Sequence, residues 1–413
     1  MDSCFVEHTL PNGLRVVCEV MPRVRSAAAA FFVKTGSRDE RPHEHGVSHF
    51  LEHMCFKGTA RRTWRDINVR FDELGSIYNA YTSRQRTVYY GWVPAERIVD
   101  QIELLADMMR PRLAPDDFET ERNVILEEIA MAGDNFDHQV WNFLHERCFG
   151  DHPLAHEILG ERDTIAAMPR EVMLEYHRRR YAPDNLVLVV AGGIDPQVVF
   201  AAAGRYCGDW EPARDTGLDC PPPALDFAAR REYCPLPKFR QQSVLLVSRS
   251  VPEGHRLAET LEILQSLFGG SNSRCYWNIV QQGICASAGA IWVGYRDAGL
   301  MVLYADGLPE KCDEMLTALR REAEQLSDDG ATADELQRVK NRRRTHLALE
   351  AENPRTRLMQ LIEDLESFGY VRSSAARLAA VEAVTQRDIA HYLAQYPLVD
   401  NALIATCGPR AWS

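Results

Sequence analysis

No apolar run in the 413 residues approaches the ~20 needed to span a bilayer, so a membrane-spanning helix is not expected. The amino-terminal stretch, with Asp2 and Glu7, lacks the basic and apolar segments of a signal peptide. Cys-x-x-Cys is missing although the chain has 11 cysteines, an odd number. Neither a disulfide framework nor a thiolate zinc site is therefore indicated, and free thiols in a reducing compartment make the cytoplasm the expected location. Lysine is scarce, 5 residues against 42 arginines, a skew we ascribe to codon usage. Basic charge is in deficit, 47 residues against 59 acidic ones, and a net charge of −12 gives a nucleic-acid role no support. No Walker-type or Gly-x-Gly-x-x-Gly phosphate loop is present. Lys34-Thr35-Gly36 has a β-lactamase look, but no Ser-x-x-Lys completes it.

What is present is ordinary for a folded protein: 46% apolar and 26% charged residues, with length for two or more domains. Residues 13–20 alternate as a strand, and the apolar run 27–33 reads as another. Residues 46–57 and 63–74 read as helices, the second with Thr63 as N-cap. Residues 77–93 are strand material, helices follow near 95–110, 115–133, 138–149 and 169–181, and a strand covers 186–191. Between 209 and 231 the pattern dissolves into Asp-Trp-Glu-Pro and a triple proline, a linker between domains at 1–208 and 232–413. The halves resemble one another. Tyr181-Ala-Pro-Asp184-Asn185 precedes one apolar strand and Tyr396-Pro-Leu-Val-Asp400-Asn401 another, with the asparagines 216 residues apart. At nearly the same offset, Asp116-Asp117 and Asp334-Glu335 each open a long helix. The expected fold is α+β, two homologous domains in tandem, each an antiparallel-rich sheet flanked by helices.

The strongest local signal is His49-Phe-Leu-Glu52-His53. On a helix, residues four apart share a face, so both imidazoles project together with Glu52 beside them. Val47, Phe50, Leu51 and Met54 fall opposite and can pack on a core. Two nitrogen ligands with a neighbouring carboxylate suit a catalytic zinc and its general base. With 13 His and 32 Glu the pattern arises by chance in about 3 of 100 such chains, so a third ligand is needed. Glu121-Arg-Asn-Val-Ile-Leu-Glu127-Glu128 offers one. Glu121, Val124, Ile125 and Glu128 share a helical face, whereas Glu127 sits with Thr120 and Asn123 on a polar one. Carboxylates on an apolar face are costly to bury without a cation; Glu128 as ligand supported by Glu121 removes that cost. An acid-rich surface helix is the alternative for this segment alone.

At this point the sequence resembles the pitrilysin/insulinase family of inverted-motif zinc peptidases, which includes the mitochondrial processing peptidases. The matching stretches are His49 to Met54 with Phe56-Lys57-Gly58-Thr59, Asn79-Ala80-Tyr81-Thr82-Ser83, and Glu121-Arg122 through Glu127-Glu128. Gly150-Asp-His-Pro-Leu and Ile158-Leu-Gly160 also match. The likeness covers the first half closely and the second loosely. It implies His49, His53 and Glu128 as Zn2+ ligands, Glu52 as the base that activates water, and Glu121 as support. It implies an edge strand at residues 76–82 that accepts an extended peptide by backbone pairing, with Asn79 and Ala80 nearest the substrate. It also implies hydrolysis of peptides or unfolded segments inside a chamber closed by two chains facing each other like a clamshell.

One departure bears on partners. Active members of that family carry, after a Ser-Arg pair in the second half, an Arg and a Tyr that contact the substrate or the developing oxyanion. Here Ser273-Arg274 is followed by Val280 and Ala286 at those places, neither able to donate a side-chain hydrogen bond. An oxyanion donor is worth ~10²–10³ in rate. The expected partner is a homologous subunit that supplies Arg and Tyr to a heterodimer; a homodimer, or a non-catalytic assembly subunit, is the alternative. Thr345 and Ser266, the repeat counterparts of Glu128 and His49, suggest no second metal site. In His43-Glu44-His45 the adjacent loop histidines read as solvated rather than as a second metal site, and His152 and His156 read as structural. Arg178–Arg180 and Arg342–Arg344 read as solvated faces or subunit contacts.

Overall fold

The apolar runs 27–33 and 186–191 become neighbouring central strands, because residues that are apolar at every position can only be satisfied by burial on both faces of a sheet. The computed structural model describes residues 4–213, 220–227 and 229–412. Its first half runs β1 (Cys4–Thr9), β2 (Arg15–Val20), β3 (Ser26–Val33), α1 (Val47–Met54), α2 (Trp64–Leu74), β4 (Ile77–Thr82) and β5 (Thr87–Pro94). It continues with α3 (Ile98–Met108), α4 (Pro115–Ala132), α5 (Phe136–Phe149), α6 (Arg162–Ala167), α7 (Arg170–Arg180), β6 (Leu186–Gly192) and α8 (Pro196–Cys207). The second half holds β7 (Arg231–Pro235), β8 (Gln242–Ser250), α9 (Ala258–Phe268), β9 (Ser287–Gly294) and β10 (Gly299–Gly307). Then come α10 (Cys312–Asp329), α11 (Ala333–Glu350), α12 (Pro354–Ser367), α13 (Ser374–Ala383), α14 (Gln386–Gln395) and β11 (Leu403–Gly408). No helix among the described residues is long and apolar enough to cross a membrane.

The six-stranded sheet has the order β1-β2-β6-β3-β5-β4 and the five-stranded sheet β7-β11-β8-β10-β9. Strand for strand, β2-β6-β3-β5-β4 and β7-β11-β8-β10-β9 have the same pairing: the first pair is parallel and every later pair antiparallel. The fold is a duplicated α+β domain, and Asn185 and Asn401 stand just ahead of the equivalent strands β6 and β11. The Asp-rich openings at 116 and 334 likewise begin the equivalent helices α4 and α11.

Two compact units result, and neither is contiguous in sequence. One contains β1–β6 with α1–α4, α6–α8 and α12; the other contains β7–β11 with α5, α9–α11, α13 and α14. In the first unit Ala27, Ala29, Phe31 and Val33 face a core with α1, α3 and α7, while Ala28, Ala30 and Phe32 face Leu358, Leu361, Ile362 and Leu365 of α12. A buried ion pair, Arg357 Nε to Glu19 Oε2 at 2.8 Å, ties α12 to β2. The expected division of the chain at 209–231 thus separates neither α5 nor α12 according to the unit it packs in, and positions 214–219 and 228 of that stretch lie outside the described residues. Strand β1 and helices α6 and α8 were not foreseen. Helix α8 has a legible start, since Asp195 accepts the Gln197 N–H ahead of Pro196 at N1.

Candidate metal centre

Helix α1 spans only 8 residues, too short to persist alone, so its neighbours must hold it. Val47, Phe50, Leu51 and Met54 are buried as its periodicity predicts, and Phe50 stacks on Phe118 of α4 with ring centroids 4.7 Å apart. At its start Gly46 is left-handed, φ +89°, and lies against Gly160 in the 150–160 loop. A Cβ on Gly160 would come within 2.7 Å of the Gly46 Cα, so both positions require glycine.

The free N–H groups of α1 are met by Glu40, whose carboxylate accepts from Gly46 N and Ser48 N at 2.8 Å each. Burial pushes the Glu40 carboxyl up to about 8, against the hydrogen bonds from Ser48 and Gly46, with Glu44 raising it further. Ser48 Oγ and Tyr176 Oη lie 2.6 Å apart, and Tyr176 also meets Thr35. Arg180 donates to Thr35 and Arg179 to Glu44, both arginines being buried. Of the 178–180 run, expected as a solvated face or a subunit contact, only Arg178 is exposed, and it pairs with Glu175. Of the two loop histidines expected to be solvated, His43 is exposed and His45 is half-buried. Glu44 is buried on Arg179, and the His45 ring lies 3.9 Å from that of His156. His152 caps a short turn by accepting the Leu154 N–H.

Helix α4 brings the acidic residues to the other side. Arg122 fastens it to the end of α6, donating to the carbonyls of Ile165, Ala166 and Met168. Of the residues expected on its packed face, Glu121 and Ile125 are buried and Glu128 is partly so, but Val124 is exposed. The result is a convergence of His49, His53 and Glu128, whose ligand atoms all lie within 4.8 Å of one another. Glu128 Oε2 is 3.8 Å from His49 Nε2 and 3.7 Å from His53 Nε2. Donors on a tetrahedral ion with bonds of ~2.1 Å stand ~3.4 Å apart, so a small contraction closes this group on a metal.

The protonation states suit that use. Burial, helped by the charge of His53, holds His49 down at about 3, so its ring is neutral and able to ligate. For His53 burial opposes the proton, but the Glu121 hydrogen bond at 2.8 Å and the charges of Glu128, Glu121 and Glu52 prevail and raise its pKa. Glu121 feels burial in the other sense, yet His53 and Lys57 hold it below the ordinary carboxylate value. Glu52 is raised by burial although a hydrogen bond from Thr82 Oγ1 and the charge of His53 work to lower it. Sequence reasoning had no access to Glu40 or Thr82, which meet α1 only through tertiary contact; the sole trace was that Thr82 stood in a matching motif.

The Thr82 contact joins Glu52 to β4, the edge strand of its sheet, paired with β5 on one side only. Asn79 is exposed there and Ala80 is nearly buried; the Asn79 Oδ1 accepts the Ala80 N–H at 2.9 Å. In the other unit Val280 ends a π-helical turn over Tyr276–Val280 and Ala286 is exposed. The preceding Arg274 is fully engaged with Glu335, donating from Nε and Nη2 at 2.8 and 2.9 Å.

Comparison with known proteins identifies the family. Residues 15–162 match the insulinase (peptidase family M16) domain and residues 167–343 the peptidase M16 inactive domain. An uncharacterized zinc protease of Mycobacterium tuberculosis is 31% identical over 412 residues, 97% of this chain and 92% of the relative. The uncharacterized zinc protease YmxG of Bacillus subtilis is 31% identical over 355 residues, 85% of each chain. Among solved structures, a protease from Helicobacter pylori has TM-score 0.91 at 20% identity, covering 99% of this chain and 100% of that one. A peptidase M16 inactive domain from Pseudomonas fluorescens has TM-score 0.89 at 16% identity, covering 99% and 98%. With both halves matched in order and relatives alike along nearly the whole length, the chain belongs to the insulinase family of peptidases, M16.

Proposed function

We propose that the chain is a zinc metalloendopeptidase acting on peptides or unfolded segments. The observation that carries this reading is the placing of Glu52. It sits beside the His49, His53 and Glu128 group and is bonded through Thr82 to β4, which among the described residues pairs with one strand only. A purely structural zinc needs no such base. Zinc held by His49, His53 and Glu128 would supply Lewis acidity, polarising the scissile carbonyl and acidifying water. An extended peptide adds along β4 and takes over the Ala80 N–H now occupied by the Asn79 side chain. Glu52 takes the proton of the attacking water and returns it to the departing amine nitrogen. Its raised pKa favours holding that proton between the two transfers. Glu121 keeps the His53 ring oriented through Nδ1.

Val280 and Ala286 favour an enzyme of two subunits, in which a homologous chain supplies the missing Arg and Tyr across a shared closed chamber; a homodimer is the simpler assembly. The test is cleavage of a mixed peptide pool by the purified chain at one zinc per chain, with Glu52→Gln as control. The expected variant keeps its zinc and loses activity by ~10²-fold or more. Activity equal to wild type in that variant overturns the assignment of the base. Silence from the metallated wild-type chain, relieved by a companion carrying Arg and Tyr, identifies the two-subunit form, and silence with every such companion identifies an assembly subunit.

A further inference from the structure

Away from the metal centre, two cysteines face one another in the five-stranded sheet. Strands β7 and β11 pair in parallel with Cys234 in register with Cys407. Adjacent strands lie about 4.8 Å apart, inside the Cα separation of roughly 4.4–6.8 Å that a disulfide accepts. Cys407 is fully buried, whereas Cys234, on the edge strand, is partly exposed. A small oxidant therefore reaches one sulfur, and the second waits directly behind it.

The surroundings of Cys234 differ from those of five deeply buried thiols. Contact with the Cys407 side chain, and after it the charge of Arg147 on α5, lowers the Cys234 pKa against burial and Glu146, while Cys407 itself is raised by Cys234 and by burial. Burial pushes Cys18, Cys55, Cys148, Cys207 and Cys275 up to about 12 instead, which leaves them protonated and unreactive. All eleven cysteines are free.

We propose that Cys234 and Cys407 form a redox modification site, converted by a hydroperoxide into an intrachain disulfide. The Cys234 thiolate attacks the peroxide oxygen, the O–O bond breaks, and a sulfenic acid forms as hydroxide leaves and is protonated. The Cys407 sulfur then attacks the sulfenic sulfur, its proton departs with the leaving hydroxide as water, and the S–S bond closes. Two thiols lose two electrons and one hydroperoxide takes them. The bond staples the edge strand β7 to β11.

The test treats the full chain with hydrogen peroxide, then counts alkylatable thiols after denaturation and maps linked peptides by mass spectrometry. The expected count falls from eleven to nine, returns with dithiothreitol, and is accompanied by a Cys234–Cys407 linked peptide. Cys407→Ala removes the resolving sulfur together with its contact to Cys234, so dimedone should trap Cys234 as a sulfenic acid, formed more slowly than the wild-type pair loses its two thiols. Cys234→Ser, at a partly exposed position tolerant of the change, should keep its remaining ten thiols under the same dose. The proposal fails if no two-thiol loss occurs, if the linkage joins other cysteines or two chains, or if Cys234→Ser loses thiols as wild type does.

Discussion

Glu121 Oε1 lies 2.8 Å from Nδ1 of His53, and the same carboxylate meets Lys57, so one acid on α4 orients an imidazole on α1 through the nitrogen remote from Glu128. The contact also fixes a proton. The His53 pKa is raised and that of Glu121 lowered, so without metal the pair contributes most between the ordinary values of 4.5 and 6.5. Its contribution is lost as pH falls through the depressed Glu121 value, and again as pH rises through the raised His53 value. A metal must displace the His53 proton. Affinity should therefore climb with pH through that titration with one proton released. Glu121→Gln should weaken zinc binding ~10–100-fold and move the climb to lower pH. Competition with a chelator across pH measures both.

Glu40 gives the opposite dependence. Its carboxyl is raised from 4.5 to about 8 by burial, so the folded state holds a proton that the unfolded state has released. Stability from this group is complete below 4.5 and is lost as pH rises through 8. Glu40→Gln removes this dependence and leaves only one acceptor for the two N–H groups of Gly46 and Ser48. The expected cost is ~1–3 kcal/mol below pH 5, shrinking towards pH 8. Urea unfolding at several pH values reads it directly.

These two sites mark the division between what was legible and what was not. The i, i+4 histidines, the apolar stripe of α1 and the glutamates of α4 obey helical spacing, so their grouping followed from local geometry once α4 was known to reach α1. Glu40, Thr82, Arg179 and Arg180 carry no such periodic mark. Arg179 looked solvated because its partner Glu44 lies 135 positions earlier, and only the fold brings a counter-charge to a buried cation. Val124 shared a helical face with Glu121 in projection, yet the contact with α1 is too narrow to cover it. Chain order misled in the same way for α5 and α12, whose packing is decided by the sheet face each one covers.

The Gly46–Gly160 contact makes the 150–160 loop part of the metal site without supplying a ligand. Gly160→Ala adds a methyl 2.7 Å from the Gly46 Cα and forces a left-handed φ of +75° on a residue that resists it. The expected outcome is a loss of ~1–3 kcal/mol in stability, with the start of α1 displaced. Zinc occupancy at limiting metal should fall along with it. Occupancy and unfolding midpoint, measured on the same preparation, check the link.

Helix α12 comes from the second half of the chain but closes a face of the first sheet, and of its two buried charges, Arg357 and Asp364, the first reaches across to β2. Arg357 and Glu19 are each about 1% exposed and bonded at 2.8 Å. Removing one partner strands the other charge in an apolar layer lined by Val17, Leu358 and Leu361. Arg357→Met should therefore cost ~3–5 kcal/mol. Arg357→Met with Glu19→Leu should regain part of that loss, because neither charge is then stranded, although Gln360 Oε1 loses the hydrogen bond it accepts from Arg357. A double-mutant cycle in guanidinium chloride gives the coupling, and near-additive losses would mean that α12 is held by its leucines alone.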